Sequence, residues 1–496
     1  MKKTCVVVLA VATLASSDGR AQDGRSTLEA AAKALGAASV KTLEFSGWGY
    51  DYVFGQAYHG TSQWPRFNVP AFTMSMDFAA PAVRDDRRRA QLESPPLGGG
   101  FQPLLGEQRQ IWVASGQYAW DMVGGNPVAP RIRDDRRPTA EGRLEQLTLT
   151  PHGFIKAAIA NTAAVKEETI RGVRKTIVSF TTPVARYEGI LNDERMVERI
   201  EGWFGHVVLG DTTIEAAFSD YRDFAGVKFP TRIVQREGGY PLLDVTVTDV
   251  RPNAAVTIDV PAGIRNAKAQ PPVGTPERLA DGVWLLPAYA QSVAVEFRDH
   301  VVVVEAPETE AQSVEVMAAV SKVVPNKPIR YVINTHSHFD HIGGLRAYAA
   351  EGATIVTHRD NIPYYQALWA APRTIGPDRL ARSWRTPVFE GVLGHRLMTD
   401  GSRTLAIYHY PGNMHNPTML MVHLPKERIL VEADSFSPPP APLTSPPNAL
   451  PNLIHWYEAV QRLKIDIEQV VPIHGRVTTM DEARQLIERF SPRQTN

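Results

Sequence analysis

Ten residues constrain this chain more than its length or its composition. Positions 335–344 read Thr-His-Ser-His-Phe-Asp-His-Ile-Gly-Gly and follow a predicted buried strand over 329–334. Four groups able to bind a metal, His336, His338, Asp340 and His341, fall within six residues. Imidazole and carboxylate donors suit zinc and similar divalent ions. On a tight loop the His-x-His-x-Asp-His spacing lets alternate residues face different directions. His336 and His338 can then take one metal while Asp340 and His341 turn towards a second. Gly343 and Gly344 relieve crowding where the loop becomes a helix. So dense a cluster is rarely structural, because four buried polar groups would each need a partner.

The pattern around this motif is an alternation of strands and helices. Strands are predicted at 283–286, 292–297, 301–304, 354–357, 404–410, 418–424, 428–432 and 469–472. Helices are predicted at 311–323, from 343, at 453–463 and at 480–490. This alternation indicates an α/β layered domain over 277–496. Residues 261–276 are rich in Pro, Ala and Lys without periodicity and read as a linker. Residues 26–260 form a different, mostly β (α+β) domain. A helix at 26–35 places Leu28, Ala31, Ala32 and Leu35 on one face, and a second at 150–160 is capped near Thr150. Between and after them come short strands at 42–52, 110–114, 175–180, 206–209, 212–221, 231–236 and 242–250. Two stretches read as irregular surface: 126–143, and 85–100 with its charged run, Pro95-Pro96 and Gly98-Gly99-Gly100. A chain of 496 residues fits two such domains.

Lys2 and Lys3, the apolar stretch 4–15 and the small residues up to Ala21 are expected to form a signal peptide over 1–21. The expected location is periplasmic or secreted, in a bacterium. The only cysteine, Cys5, lies in that segment, which excludes a disulfide framework and a Cys-built metal site. Lys and Arg number 53 and Asp and Glu 53, so a nucleic-acid partner is not favoured. No apolar run reaches the roughly 18 residues of a transmembrane segment.

At these residues the sequence resembles the metallo-β-lactamase superfamily. Beyond the first cluster, His415 in "YPGNMHNPTMLMVHLP", Asp434 ending "RILVEAD" and His474 in "VVPIHGR" match the family's later motifs in order and spacing. The resemblance implies an αββα four-layer sandwich. It implies one metal on His336, His338 and His415, and another on Asp340, His341 and His474. Asp434 and a hydroxide would bridge them. It also implies two zinc ions as cofactors, with iron or manganese as alternatives. The bridging hydroxide would attack a small ester, lactone or related carbonyl substrate, with Asp340 steering the nucleophile or shuttling a proton. The family usually has Asp where "VVVVEAP" has Glu305, a position expected to be a structural hydrogen-bonder. Asp434 argues against a dedicated β-lactamase, where Cys or Ser is usual, unless Ser435 plays that part. Forty residues separate Asp434 from His474, too few for the insertion of nucleic-acid-processing members. Two alternative functions stand beside this one. They are an iron-dependent, persulfide-dioxygenase-like enzyme and a lipid-binding or scaffold protein with a vestigial metal site.

His358, His395, His409 and His423 are expected to be structural or surface residues. The proline-rich stretch 437–451 is either a pocket wall or a connector. The aromatics of 364–389, Tyr364, Tyr365, Trp369, Trp384 and Phe389, either line a pocket or pack over the sheet. Residues 200–253, with "FSDYRDFAGVKFPTRI" and "VTDVRPN", resemble the end of the outer-membrane-lipoprotein-carrier fold. That likeness implies a half-barrel with a lipid or acyl-chain ligand; the alternative is a domain that only packs against its neighbour.

Overall fold

The computed structural model describes residues 17–130, 139–267, 273–438 and 449–491. Among these, the first half is built on one antiparallel sheet of thirteen strands. From the central strand Thr42–Tyr52 the chain meanders outward to the edge strand Asn126–Val128. It resumes at the opposite edge, Ala164–Ile170, and meanders back to Tyr240–Pro252. First and last strands meet in the middle, Phe45 opposite Val250 and Trp48 opposite Thr246. The helices Thr139–Thr148 and Pro151–Ala160 lie between the two edge strands in sequence. Thr150 caps the second, accepting from Gly153 N at 3.2 Å, with Pro151 at the first helical position.

Period-two burial in Gly210–Phe224 shows one face of the sheet buried. That face packs on the helices Ser17–Leu35 and Pro151–Ala160, through Leu28, Leu35, Phe154 and Ile155 against Phe45, Phe72 and Phe229. The expected lipid or acyl-chain ligand finds no support here, because the chain's own helices fill the face on which it would lie.

Several expectations for the first half need correction. Residues 85–91 are not irregular surface but part of the strand Ala82–Gln91. Two of its four arginines are buried because Asp51 on a nearby strand receives them, Oδ2 from Arg87 and Oδ1 from Arg89, each at 3.0 Å. A run of charges can thus be a strand when opposite charges lie beside it. Gly98 and Gly99 are buried too. Of 126–143, the two ends are the edge strand and the start of a helix, and 131–138 lie outside the described residues. The helix predicted at 26–35 begins at Ser17 and so runs through the expected cleavage position at Ala21. Residues 1–16 lie outside the described residues. The linker contains a helical turn at Ala262–Arg265, and 268–272 are outside the description. Among the described residues no helix is long and apolar enough to cross a membrane.

The second half is the expected four-layer sandwich. A seven-stranded sheet and a five-stranded sheet face each other. The strand Val301–Val304 shows how the layers are made. Val302 and Val304 point into the core between the sheets, with Leu405, Val422 and Val431. Val301 and Val303 point outward and pack with Val316 and Val320 of the helix Glu310–Val323 and Tyr348 of Leu345–Glu351. Burial on both faces is why such strands are unbroken apolar runs. The helices Leu450–Leu463 and Met480–Phe490 cover the outer face of the second sheet.

Three connections at one end of the thirteen-stranded sheet dock on the sandwich: 53–65, 92–107 and 207–209. Val207 and Val208 join the sandwich's own outer core. Above them Arg373 donates to three carbonyl oxygens, His206 at 3.1 Å, Val207 at 2.8 Å and Val208 at 2.7 Å. Asp211 accepts from the backbone of Thr374 and Ile375 at 2.7 and 3.0 Å. Arg373→Met keeps the apolar stem but leaves buried carbonyls without a donor. It is expected to lower stability by about 3 kcal/mol, read as a shift in the urea unfolding midpoint. An unchanged midpoint would show that this clamp contributes nothing.

Candidate metal centre

The motif loop leaves the strand Ile329–Ile333 and closes into a helical turn at Phe339–Ile342. Asn334 holds the loop shut. Its Nδ2 donates to His336 O at 2.8 Å and His341 O at 3.1 Å, and its Oδ1 accepts from Thr357 and Tyr365 hydroxyls. Gly343 is required by close approach, since a Cβ there would lie 1.8 Å from Glu308 O. Asn413 Oδ1 accepts from His415 N at 2.8 Å and sets that turn. Asp434 follows the buried strand Ile429–Glu432 with φ of 61°, and Glu305 follows Val301–Val304 with φ of 72°. Left-handed backbone at a non-glycine costs on the order of 1–3 kcal/mol and survives only where the surroundings impose it.

The seven predicted ligands come together as two groups that share one residue. His336, His338, His415 and Asp434 form one, and Asp340, His341, Asp434 and His474 the other. Within each group the donor atoms lie within 4.8 Å of one another. Asp434 Oδ2 lies 2.9 Å from His415 Nε2, while Oδ1 lies 3.3 Å from His341 Nε2 and 3.4 Å from His474 Nε2. Its two oxygens therefore face different groups. His336 Nε2 and His338 Nδ1 are 3.0 Å apart, and the Nε2 atoms of His341 and His474 are 3.2 Å apart.

The donor set fits a divalent cation. Ala57 O accepts from His338 Nε2 at 2.9 Å and Tyr289 O accepts from His474 Nδ1 at 3.1 Å. A carbonyl can only accept, so in the neutral rings the inward nitrogens, His338 Nδ1 and His474 Nε2, are bare lone pairs. His341 Nδ1 points outward to Glu305 Oε2 at 2.5 Å, and His336 Nδ1 to Thr335 Oγ1 at 3.0 Å. Outward nitrogens anchored on oxygen acceptors are how metal-binding imidazoles are oriented. Inside, His415 Nε2 and Asp434 Oδ1 are buried without a hydrogen-bond partner. Unpaired buried acceptors of this kind are what a cation satisfies.

Burial pushes His336 well below the ordinary imidazole range and His338 down to about 3. His341 and His474 behave oppositely. Burial lowers them, but Asp434 and Asp340 outweigh it and hold both above the usual value. Burial likewise pushes the two aspartates up, and the neighbouring histidines, His341 foremost, outweigh it and keep both below the usual carboxylate range.

Glu305 fills its expected structural role, with Oε1 accepting from Thr335 N at 2.6 Å as Oε2 holds His341. Ser435 takes no part in the ligand groups. Its hydroxyl lies 3.0 Å from both Tyr410 OH and Asn413 Nδ2. His358 caps a turn, His409 and His423 bond backbone carbonyls, and His395 is exposed. The aromatics of 364–389 divide. Tyr365 is buried on Asn334 and Trp369 packs on Phe389 at 5.0 Å, while Trp384 is fully exposed. Of 437–451, residues 439–448 lie outside the described residues. The sequence reading missed Asn334, Tyr289, Gln56 and Ala57. Gln56 Nε2 donates to Asp340 Oδ1 at 2.7 Å. Only the glycine run 98–100 hinted that this part of the first half approaches something closely.

Residues 287–474 match the family model described as the metallo-beta-lactamase superfamily. Among solved structures, a metallo-beta-lactamase from Pontibacter korlensis is 20% identical, with 44% of this chain covering 97% of that one at a TM-score of 0.34. The metallo-beta-lactamase FIM-1 from Pseudomonas aeruginosa, in its mono-zinc form, is 22% identical, covering 44% and 96% at a TM-score of 0.33. One from Hirschia baltica is 21% identical, covering 44% and 97% at 0.33. No curated protein matches the chain, and nothing in these matches extends to the lipoprotein-carrier likeness of 200–253. Residues 287–474 are a metallo-β-lactamase-superfamily domain, the fold of a metal-dependent hydrolase.

Because His341 and His474 carry raised pKa values, their group must shed protons to take a cation, and its affinity falls as pH falls. His336 and His338 are already neutral at pH 7. Zinc titration of metal-free protein by calorimetry, in two buffers of different ionisation heat, is expected to show proton release that His474→Ala diminishes. Equal release from both proteins would contradict this assignment.

Proposed function

We propose that the protein is an exported dinuclear zinc hydrolase acting on a small ester, lactone or related carbonyl compound. The observation that carries this reading is the pair of four-donor groups meeting at Asp434. Zinc bound there would lower the pKa of a water to about 7 and polarise a carbonyl.

The chain's own residues do the rest. Asp434 divides its two oxygens between the groups and so fixes their spacing. Asp340 has the most exposed side chain of the seven, 23% against 13% or less for the others, and is the one most open to water. Kept ionised by the histidines beside it, Asp340 is an acceptor that orients the attacking water. His338, anchored from behind by the Ala57 carbonyl, keeps its inward nitrogen free of a proton, and His474, anchored on the Tyr289 carbonyl, offers Nε2 once its extra proton is shed. Asp434 at this position, with Ser435 turned away, favours esters and lactones over β-lactams.

A screen of p-nitrophenyl esters, lactones, β-lactams, phosphotriesters and sulfate esters tests the reading, together with metal analysis of the purified protein. Ester or lactone turnover is expected, lost on chelation and restored by zinc, and abolished by Asp434→Ala. Fewer than one metal ion per chain, with no activity gained on adding metal, would overturn it. So would oxygen uptake with a persulfide in the absence of ester hydrolysis. Export is supported by Lys2, Lys3 and the apolar run after them. Protein recovered from the periplasm or medium is expected to begin at Gln22, and recovery only from the cytoplasm with residues 1–21 intact would contradict it.

A further inference from the structure

We propose that the first half of the chain completes the metal centre, with Gln56 and Ala57 as positioning residues for the ligands Asp340 and His338 and with Gly99 as the seat of Gln56. This inference rests on the metal-hydrolase reading above and gives the large N-terminal domain a part in it.

Three consecutive residues of the connection 53–65 grip three consecutive residues of the motif. Gly55 O accepts from Phe339 N at 3.1 Å. Ala57 O accepts from His338 Nε2 at 2.9 Å. Gln56 Nε2 donates to Asp340 Oδ1 at 2.7 Å. Each bond has a definite chemical effect. The Ala57 carbonyl forces the hydrogen of His338 onto Nε2 and leaves Nδ1 bare, facing its group. The Gln56 carboxamide occupies Asp340 Oδ1, which leaves Oδ2 as the oxygen facing His474 at 3.5 Å and His341 at 3.7 Å. One short segment thus orients a ligand in each group. No contact within the sandwich could replace the Ala57 bond without a second acceptor at His338 Nε2.

The segment is itself held in place. Gly99 N donates to Gln56 O at 3.0 Å, and Gly98 N donates to Met414 O, beside His415, at 2.8 Å. A Cβ on Gly99 would fall 1.8 Å from Gln56 Oε1 and 3.1 Å from His338 Cε1. The glycine is there because the carboxamide and the imidazole occupy the space. Phe339, the motif residue between the two gripped ligands, sits against Phe54 at 5.3 Å, and Phe54 sits against Trp64 at 4.3 Å. The aromatic contacts fix the distance between segment and motif, and the hydrogen bonds fix the orientation of the ligands.

Orienting partners of this kind are worth about 10–100-fold in metal affinity. The test uses full-length protein, its Gln56→Ala variant and its Gly99→Ala variant. The second keeps Gln56 but pushes its carboxamide off Asp340. Zinc affinity is measured by competition with a chromophoric chelator, the ligand-field spectrum is recorded with cobalt, and circular dichroism and the urea midpoint report the fold. Both variants are expected to keep the parent fold, to bind the Asp340 and His341 group's ion about 10–100-fold more weakly, and to shift the cobalt bands in the same direction. A merely structural role would move the urea midpoint without that shared spectral change. Parent-like zinc affinity and cobalt bands in both folded variants would overturn this inference and leave the hydrolase reading standing. A parent protein that binds no zinc would overturn both. If Gln56→Ala does not fold, Gly99→Ala alone decides by the same readouts.

Discussion

The structure is organised around a crowding of polar groups. Five imidazoles and two carboxylates turn their inner atoms toward one another across about 3–4 Å in a low-dielectric interior, where a cation between them would satisfy the acceptors left unpaired. Attraction between the aspartates and His341 and His474 holds part of the cluster, and the rest is held from outside. The outer atoms of the ligands do this, on Glu305, Thr335, Tyr289, Ala57 and Gln56. Glu305 and Thr335 follow strands whose positions are set by cores on both faces of a sheet. Glu305 and Asp434 accept left-handed backbone at strand ends. Such local strain is tolerated when the packed sandwich determines where each chain segment must turn.

The two halves of the chain share this task. The sandwich supplies every ligand, and the thirteen-stranded sheet presents three loops at one end. One loop supplies Arg373 with carbonyls, another supplies Gln56 and Ala57, and the third carries the glycines that leave room for them. The role of the large N-terminal sheet, on this account, is to hold loop ends rigid at a distance set by the Phe54, Trp64 and Phe339 contacts.

Four of the candidate ligands were legible because metal chemistry restricts residue type and spacing at once: His336, His338, Asp340 and His341 lie in one loop. His415, Asp434 and His474, each after or at the end of an apolar strand, came only through the resemblance to the family's motifs. The sandwich was legible for a related reason, since strands such as Val301–Val304 are apolar on both faces. Ala57 could not be found that way, because it acts through a backbone carbonyl that every residue has. Gln56 meets Asp340 across 284 positions of sequence, with no motif around it. The strand Ala82–Gln91 was hidden because Arg87 and Arg89 pair with Asp51 and Asp86 pairs with Arg109, contacts visible only once the strands lie side by side.

The central claim is that both halves of the chain build one two-ion centre. Anomalous diffraction at the zinc edge from crystals of the full-length protein tests it most directly. The expected result is one peak among His336, His338 and His415 and another among Asp340, His341 and His474, with Asp434 between them. The Gln56 carboxamide should remain on Asp340 and the Ala57 carbonyl on His338. Ordered zinc absent from both groups, or bound there with residues 55–57 displaced from the motif, would contradict it.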